Sequence, residues 1–495
     1  MRCWGHLLDA FPLRAVSLAT ESERQRNSNP PKLYPADPAL IKVFDPSGRS
    51  DVGHALETVV FHARRRTHDR PSQGVAYCFR LKANALICLR LFSQPQTREP
   101  MTGQRKRQPH GRAVRCQGGY RAYVPDPLPP RLEWSDALAA ALSRADLAVG
   151  RLAGEGRRLP NPHLLIRPFI RREAVLSSRI EGTQATLGEL FAAEAGAAVA
   201  RSPEDLREVA NYVVALEHGV ARLAALPLSL RLIKELHAKL LRGVRGDAAT
   251  PGEFRRSQNW IGPAGGTLAD ASFVPPPPDR LLDCLGAWER FLHDDSLPPL
   301  VHAALAHSQF EAIHPFLDGN GRVGRLLITL LLVERQVLPS PLLYLSACFE
   351  ATRPEYYARL SGVTERGEWE EWLAYFLRGV AGQAEDALRR IQRIDVLVAD
   401  WRGRIAQAPS RLPERSLDLF VENPFWTVNK LARRLGVAFT TAQRAIDRLA
   451  AADVVTLASE AKRNRVYCAR AILNILEEPP RLPGAGHARP HGKRP

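Results

Sequence analysis

From Trp134 to about Ile405 the chain repeats apolar residues at i, i+3 and i+4 almost without a break, as in DALAAALSRADLAVGRL, while strand-like alternation is scarce. A stripe with a 3.6-residue period is buried only when the helix that carries it lies against a neighbour, so this region must fold as packed helices. One segment departs from the period. Between Pro251 and Pro278, glycine, proline, tryptophan and other aromatics take over, and the tetraproline Pro275–Pro278 closes the stretch. An extended flap or β-hairpin between helices is expected there. The fold class is mainly α, and 495 residues leave room for about three domains of roughly 150 residues.

Charge is unevenly distributed. Of the net +17, residues 1–118 carry a surplus of +11 and residues 420–495 one of +7, leaving the middle near neutral at −1. Affinity for nucleic acid, which such a basic chain suggests, can therefore apply only to its ends. With 45% hydrophobic and 24% charged residues, disorder throughout is excluded. The longest apolar run, Leu326 to Val333, stops at Glu334, well short of the roughly 18 to 20 residues of a membrane span. Asp9 interrupts the apolar patch near the start and no small-residue cleavage site follows, so a cytoplasmic address without membrane contact is expected. The seven cysteines form no CxxC pair, which argues against a zinc site or a disulfide framework.

The densest chemistry lies in HPFLDGNGRVGR, His314 to Arg325. Gly319-Asn320-Gly321 permits positive φ and close backbone approach, so successive N–H groups can face one anion. The helical run RVGRLLITLLLVERQ follows at once, placing this nest at a helix N-terminus, where unpaired N–H groups and the helix dipole favour phosphate. Arg322 and Arg325, at i and i+3, can reach one phosphate chain with forked donors. Asp318 could hold Mg²⁺ against phosphate oxygens, and His314 could take a proton from an attacking hydroxyl.

These residues resemble the signature of the Fic family, His-x-Phe-x-(Asp/Glu)-Gly-Asn-Gly-Arg-x-x-Arg, with every defining position filled. The resemblance runs from about Tyr123 to Val380 and includes HSQFEAIHPF, YLSACFEATRPEYYARL and the flap FRRSQNWIG…FVPPPP. It implies an α-helical Fic/Fido core with a β-hairpin flap that moves AMP from ATP to a protein Ser, Thr or Tyr hydroxyl, with Mg²⁺ as cofactor. By position, His314 would be the general base, Asp318 the metal ligand and Phe316 the loop anchor. Gly319, Asn320, Gly321 and Arg322 would cradle the phosphates with Gly324 alongside, and Arg325 would hold the γ-phosphate. Ile261 and Gly262 of the flap, with Tyr356 and Tyr357, are further expected nucleotide contacts. The flap would hold a target backbone by strand addition.

Upstream, Ser177-Ser178-Arg179-Ile180-Glu181-Gly182 resembles the inhibitory helix of that family. Ser177, Glu181 and Gly182 are its expected inhibitory residues, with Glu181 pairing with Arg325. A carboxylate there competes with the γ-phosphate for the same donors. The alternatives are a DNA-binding regulator whose core senses nucleotide and a hydrolase that removes AMP, with Glu181 aligning a water.

Residues 414–470 show three helical periods and a strand pair, VVTLAS and RVYCAR. LARRLGVAFTTAQRAIDRL reads as a helix-turn-helix with Gly436 in the turn and Thr440 or Thr441 as N-cap. The whole resembles a winged helix. Gln443, Arg444 and Arg448 would face a DNA groove, and Lys462 and Arg463 would lie near phosphates; protein recognition or packing is the alternative use. The expected divisions are 1–118, 119–225 with the inhibitory helix, a 226–385 catalytic core, a 386–412 helical linker, a 413–472 winged helix and a 473–495 disordered tail. A homodimer is also compatible with this organisation. Within the first division, Lys32 to Phe61 resembles a fragment of the C-terminal domain of a bacterial AAA-type ATPase family, without its phosphate loop. Residues 1–118 are expected to be an upstream gene remnant, and Met101 is an alternative start. Tyr123 to Pro130 reads as a polyproline-like lead-in.

Overall fold

The structure is a computed structural model that describes residues 109–158, 162–197, 199, 202–244, 250–263, 265–407, 410–458 and 465–481, with four strands before them. The chain divides into two units, Met1–Arg105 and Lys106–Pro495. In the first, β1 (Leu13–Val16) pairs with β2 (Lys32–Pro35), and β3 (Gly74–Leu81) with β4 (Ala85–Phe92), both antiparallel. Of the ATPase-like fragment, residues 36–61 lie outside the described residues.

The second unit opens with a hairpin of β5 (Gly111–Arg115) and β6 (Arg121–Pro125). Helices α1 (Asp136–Arg158), α2 (Pro162–Ile180), α3 (Leu187–Ala195), α4 (Pro203–Arg222) and α5 (Leu230–Leu240) follow. After the flap come α6 (Pro278–Leu292), α7 (Pro299–Ile313), α8 (Asn320–Glu334), α9 (Ser346–Ala351), α10 (Arg353–Arg366) and α11 (Trp369–Ile405). The last part comprises α12 (Leu412–Glu422), β7 (Phe425–Thr427), α13 (Val428–Leu435), α14 (Phe439–Ala451), β8 (Thr456–Leu457), β9 (Val466–Cys468) and α15 (Arg470–Glu477). The described chain is mainly helical, as the periodicity requires.

Helix α7 is the hub. Its Ala303, Ala304 and Ala306 let neighbours approach closely, and almost every residue of the helix is buried. Trp288 Nε1 donates to Ala306 O at 2.8 Å and Trp372 Nε1 to Ala304 O at 3.0 Å, so two large indoles pack against it with their polar atoms satisfied. Helix α1 lies along α11 with its stripe Leu138, Ala141, Ala145, Ala148 and Leu152 buried. The α7–α8 connection is the segment that positions the site, entered by His314 (φ 50°) and left by Gly319 (φ 79°), both left-handed.

Helix α2 is held from behind by the C-terminal elements. Arg167 pairs with Glu422, Arg172 Nε donates to Leu476 O at 2.9 Å, and Arg171 Nε pairs with Glu194 at 2.8 Å, which also receives Asn423 Nδ2 at 3.2 Å. There, α13 and α14 meet at Gly436 (φ 68°), and a small antiparallel sheet has the order β7-β9-β8.

Several expected boundaries shift. The division at 118/119 falls in the turn of the β5–β6 hairpin, and Tyr123 to Pro125 is strand rather than polyproline. His110 stacks edge-on against Trp369 at 5.6 Å, tying the residues before that division to α11. The 385/386 division cuts one continuous helix, because the apolar stripe runs on through Ile391, Ile394 and Val398. The expected tail begins inside α15, whose Ile472, Leu473, Ile475 and Leu476 are buried. Helix α14 starts at Phe439 with Ala438 as N-cap, so Thr440 and Thr441 sit inside the first turn. Among the described residues the flap legs pair through one β-bridge, Ile261 to Phe273, instead of a full hairpin.

Candidate active site

The site is built on the loop between α7 and α8. Phe316 is buried and stacks on the His237 ring at 3.7 Å, which anchors the loop to α5. Asn320 closes it: its Oδ1 accepts from Phe316 N and its Nδ2 donates to Phe316 O, both at 2.8 Å. His237 Nδ1 accepts from Gly252 N at 2.8 Å, so its Nε2 carries the proton and donates to Asp318 O at 3.0 Å. Burial keeps that ring neutral, with its pKa pushed down to about 4.

His314 ends α7. Its Nδ1 lies 3.3 Å from the Glu311 carbonyl, which can only accept, so Nδ1 carries the proton and Nε2 keeps the lone pair. Burial, aided by the Arg255 charge, lowers its pKa to about 4. At neutral pH the ring is therefore an unprotonated base.

At the start of α8, Gly319 N donates to Asp318 Oδ1 at 2.6 Å, so the carboxylate caps the amide that sequence assigns to phosphate. The Asp318 side chain is half exposed, and its Oδ1 lies 3.8 Å from Arg322 Nη2. Arg322 is buried, with Nη1 3.9 Å from Glu208 Oε2, yet its Nε and Nη1 lack a hydrogen-bond partner among the described residues. Two buried, unused donors beside a helix N-terminus suit an oxyanion. Asp318 also fits Mg²⁺, which takes one or two carboxylates and otherwise waters and phosphate oxygens. Among the described residues no group of three or more His, Cys, Asp or Glu could hold a metal by itself.

Arg325 is buried, with its Nε and Nη2 engaged. Its Nε donates to Ser177 Oγ at 2.9 Å, and its Nη2 donates to Ser177 O at 3.0 Å and to Glu181 Oε1 at 2.6 Å. Burial opposes ionisation of Glu181, but the charge and hydrogen bond of Arg325 outweigh it and hold the carboxyl below its ordinary range. Gly182, at φ 98°, turns the chain away after α2. A Cβ at Gly321 would collide with Glu181 Oε1, and one at Gly324 with Glu311 Oε1, so both glycines exist to let carboxylates approach the helix. Burial pushes Glu311 up to about 7 against the pull of Arg325, and its Oε1 has no hydrogen-bond partner among the described residues.

The remaining expected residues are scattered. Tyr356 is only 1% exposed and its hydroxyl is 2.9 Å from His307 Nε2, so its ring faces the core instead of a nucleotide. Tyr357 is exposed, with Arg353 over its ring at 5.8 Å. Ile261 and Gly262 lie exposed on the flap. Gln443 is turned onto Asp447 Oδ1 at 2.7 Å, Arg444 and Arg448 are exposed on α14, and Lys462 and Arg463 lie outside the described residues.

Residues absent from the sequence-based list are His237, Glu311, Arg255 and Asn259. His237 had a signal: it is the one polar member of the buried stripe Leu232, Ile233, Leu236, Leu240 of α5. Arg255 and Asn259 lie in the flap segment FRRSQNWIG, but their role had no signal, since their partners are backbone carbonyls.

Comparison with known proteins converges on the same stretch. Residues 139–221 match the Fic/DOC family N-terminal region and residues 227–332 match the Fic/DOC family. Protein adenylyltransferase Fic of Drosophila virilis is 37% identical over 161 residues, 31% of this chain and 31% of that protein. Its Drosophila ananassae counterpart is 36% identical over 138 residues, 27% of this chain and 26% of that protein. The chain thus spans less than a third of the length of these curated relatives. The crystal structure of a Fic family protein from Desulfovibrio desulfuricans is 20% identical, with a TM-score of 0.47, and covers 69% of this chain and 98% of that one.

Proposed function

We propose, from the match of residues 139–221 to the Fic/DOC family N-terminal region and of residues 227–332 to the Fic/DOC family, that the protein is an adenylyltransferase moving AMP from ATP to a Ser, Thr or Tyr hydroxyl of a protein, itself included. The observation that carries this reading is a neutral His314 beside a glycine-lined helix N-terminus with Arg322 and Arg325 buried on its first turns.

In the reaction the target oxygen attacks the α-phosphorus, the bond to the bridging oxygen breaks, and pyrophosphate departs. The hydroxyl proton passes to His314 Nε2, the lone pair left by the Nδ1 contact. The amides of the first turn of α8 and the spare donors of Arg322 would hold the phosphates, and the half-exposed Asp318 beside them would hold Mg²⁺. When bound, Mg²⁺ neutralises charge that builds up on the phosphate oxygens. Arg325 would clamp the γ-phosphate once Glu181 withdraws; in the resting protein the carboxylate blocks that role. The exposed flap around Ile261 would receive the target backbone by strand addition.

The C-terminal elements are proposed to form a winged helix with α14 as its groove-facing helix. Support comes from the exposure of Arg444 and Arg448 opposite the buried Ala445, Ile446 and Leu449. Salt-dependent binding to duplex DNA tests that part.

The activity is tested with ATP labelled at the α- or the γ-phosphate. Label should enter protein from the α position only. Entry from the γ position would mean kinase chemistry, and slow loss of α label after ATP removal would reveal hydrolysis.

A further inference from the structure

Beneath the flap lies a guanidinium that the reaction above does not use. Arg255 is 3% exposed, and no carboxylate pairs with it among the described residues. Its Nε donates to His314 O at 2.9 Å, its Nη2 to Pro276 O at 2.5 Å and to Ile313 O at 3.4 Å, and its Nη1 to Ser257 O at 3.3 Å. Its own amide donates to Pro315 O at 3.0 Å. A buried cation whose hydrogen-bond partners among the described residues are all carbonyls is an expensive arrangement for packing alone, since an apolar side chain of similar volume would avoid the desolvation.

The carbonyls identify what it secures. Two belong to the last residues of α7 and two to the two legs of the flap, so one planar fork ties the flap base to the base-bearing turn. His314 has φ 50°, a region non-glycine residues seldom occupy, and its carbonyl direction follows from that conformation. Asn259, also on the flap leg, adds Nδ2 bonds to Phe316 O at 2.8 Å and to His314 O at 3.4 Å.

We propose that Arg255 is a positioning residue for the reaction: it fixes the backbone of His314 and registers the flap, which carries the target, against the base. This rests on the adenylyl-transfer reading of the site. The arrangement has a second consequence. The charged groups facing His314 are Arg255 from the flap leg, Glu181 from the end of α2, and Asp318 from its own loop. Arg255 is the cation among them, and it helps keep the imidazole neutral.

The test uses the full chain carrying Glu181→Gly, with Arg255, Arg255→Lys or Arg255→Met. ATP affinity by calorimetry should stay within about threefold, while the transfer rate falls about 30-fold or more in the Met variant, because misplacing a reacting group by an ångström costs on the order of 10²-fold. Lysine keeps the charge but not the fork and should be intermediate. The acid limb of the transfer rate should move to higher pH with methionine and stay in place with lysine. Unchanged transfer in a folded Met variant overturns the assignment. So does a loss of ATP affinity in proportion to rate, which would mean a general structural role. If Glu181→Gly transfers no AMP at all, the activity reading has failed instead. Hydrogen exchange then still decides: amides of 313–319 and 254–262 should exchange at least about tenfold faster in Arg255→Met while α8 is unchanged. Uniform loosening, or none, contradicts the proposal.

Discussion

Replacing Glu181 by glycine removes one oxygen from Arg325 and leaves the rest of the contact in place. The guanidinium keeps its bonds to Ser177 Oγ at 2.9 Å and Ser177 O at 3.0 Å, so it stays oriented while losing the 2.6 Å charge pair. A charge-assisted bond of that kind is worth roughly 1.5 to 3 kcal/mol. The Glu181 side chain is 36% exposed, so solvent screening trims this to about 1 to 2 kcal/mol. The site should therefore open about 5- to 30-fold, read as the initial rate of self-modification with α-labelled ATP. Because Arg325 holds the Glu181 carboxyl below its ordinary range, the pair is intact above the unfolded pKa near 4.5 and is lost only as pH falls through the lower folded value. The ratio of variant to wild-type rate should thus be flat from pH 6 to 8. Arg325→Ala should be inactive in either background, since it removes clamp and lock together. A double variant as active as Glu181→Gly alone would refute the clamp, and an unchanged rate in Glu181→Gly would refute the brake.

Acidification should destabilise the protein. Burial lowers His237 and His302 to about 4 and His307 to about 3, so these contribute stability above pH 6.5 that is lost as pH falls towards those values. Glu173 and Glu311, raised to about 7, act oppositely, with stability present below about 4.5 and lost as pH rises through 7. With His314, also lowered to about 4, the unfolded chain should bind roughly two protons more near pH 5.5, so the melting temperature should peak near neutrality and fall towards pH 5; a rise would show these histidines charged in the fold. A chain starting at Gly119 loses β5 and the His110–Trp369 contact and should melt lower than one starting at Lys106, with equal melting temperatures counting against the hairpin. Phe316→Ala should cost about 3 to 5 kcal/mol in denaturant unfolding, because the ring is wholly buried against His237; a loss below about 1 kcal/mol would show that the loop is anchored elsewhere.

Much of the site was legible because its chemistry is local in sequence. Asp318 to Arg325 spans a loop and two turns of one helix, so spacing alone places the nest and both guanidiniums together. The meeting of Glu181 with Arg325, 144 residues apart, came from the resemblance of SSRIEG to an inhibitory helix and not from any periodicity. Arg255 lies in the flap segment FRRSQNWIG, but nothing there assigns it a role, because backbone carbonyls carry no residue identity. Tyr356 misled because a tyrosine after the motif reads equally well as a ligand contact or as core, and only packing against His307 and Phe349 decides. Basic composition hid the β5 strand before Gly119, and the proline-rich end hid the apolar period of α15.

In the proposed reaction His314 removes a proton while the phosphate-binding groups act independently of it. Intact-mass analysis tests this most directly, comparing Glu181→Gly with Glu181→Gly/His314→Ala after incubation with ATP and Mg²⁺, alongside calorimetric ATP binding. The first protein should gain the mass of one or more adenylyl groups. The second should bind ATP with nearly the same affinity and gain adducts about 10²-fold more slowly. Equal adenylylation of both proteins would remove His314 from the reaction, and an adduct with the mass of phosphate would mean kinase chemistry.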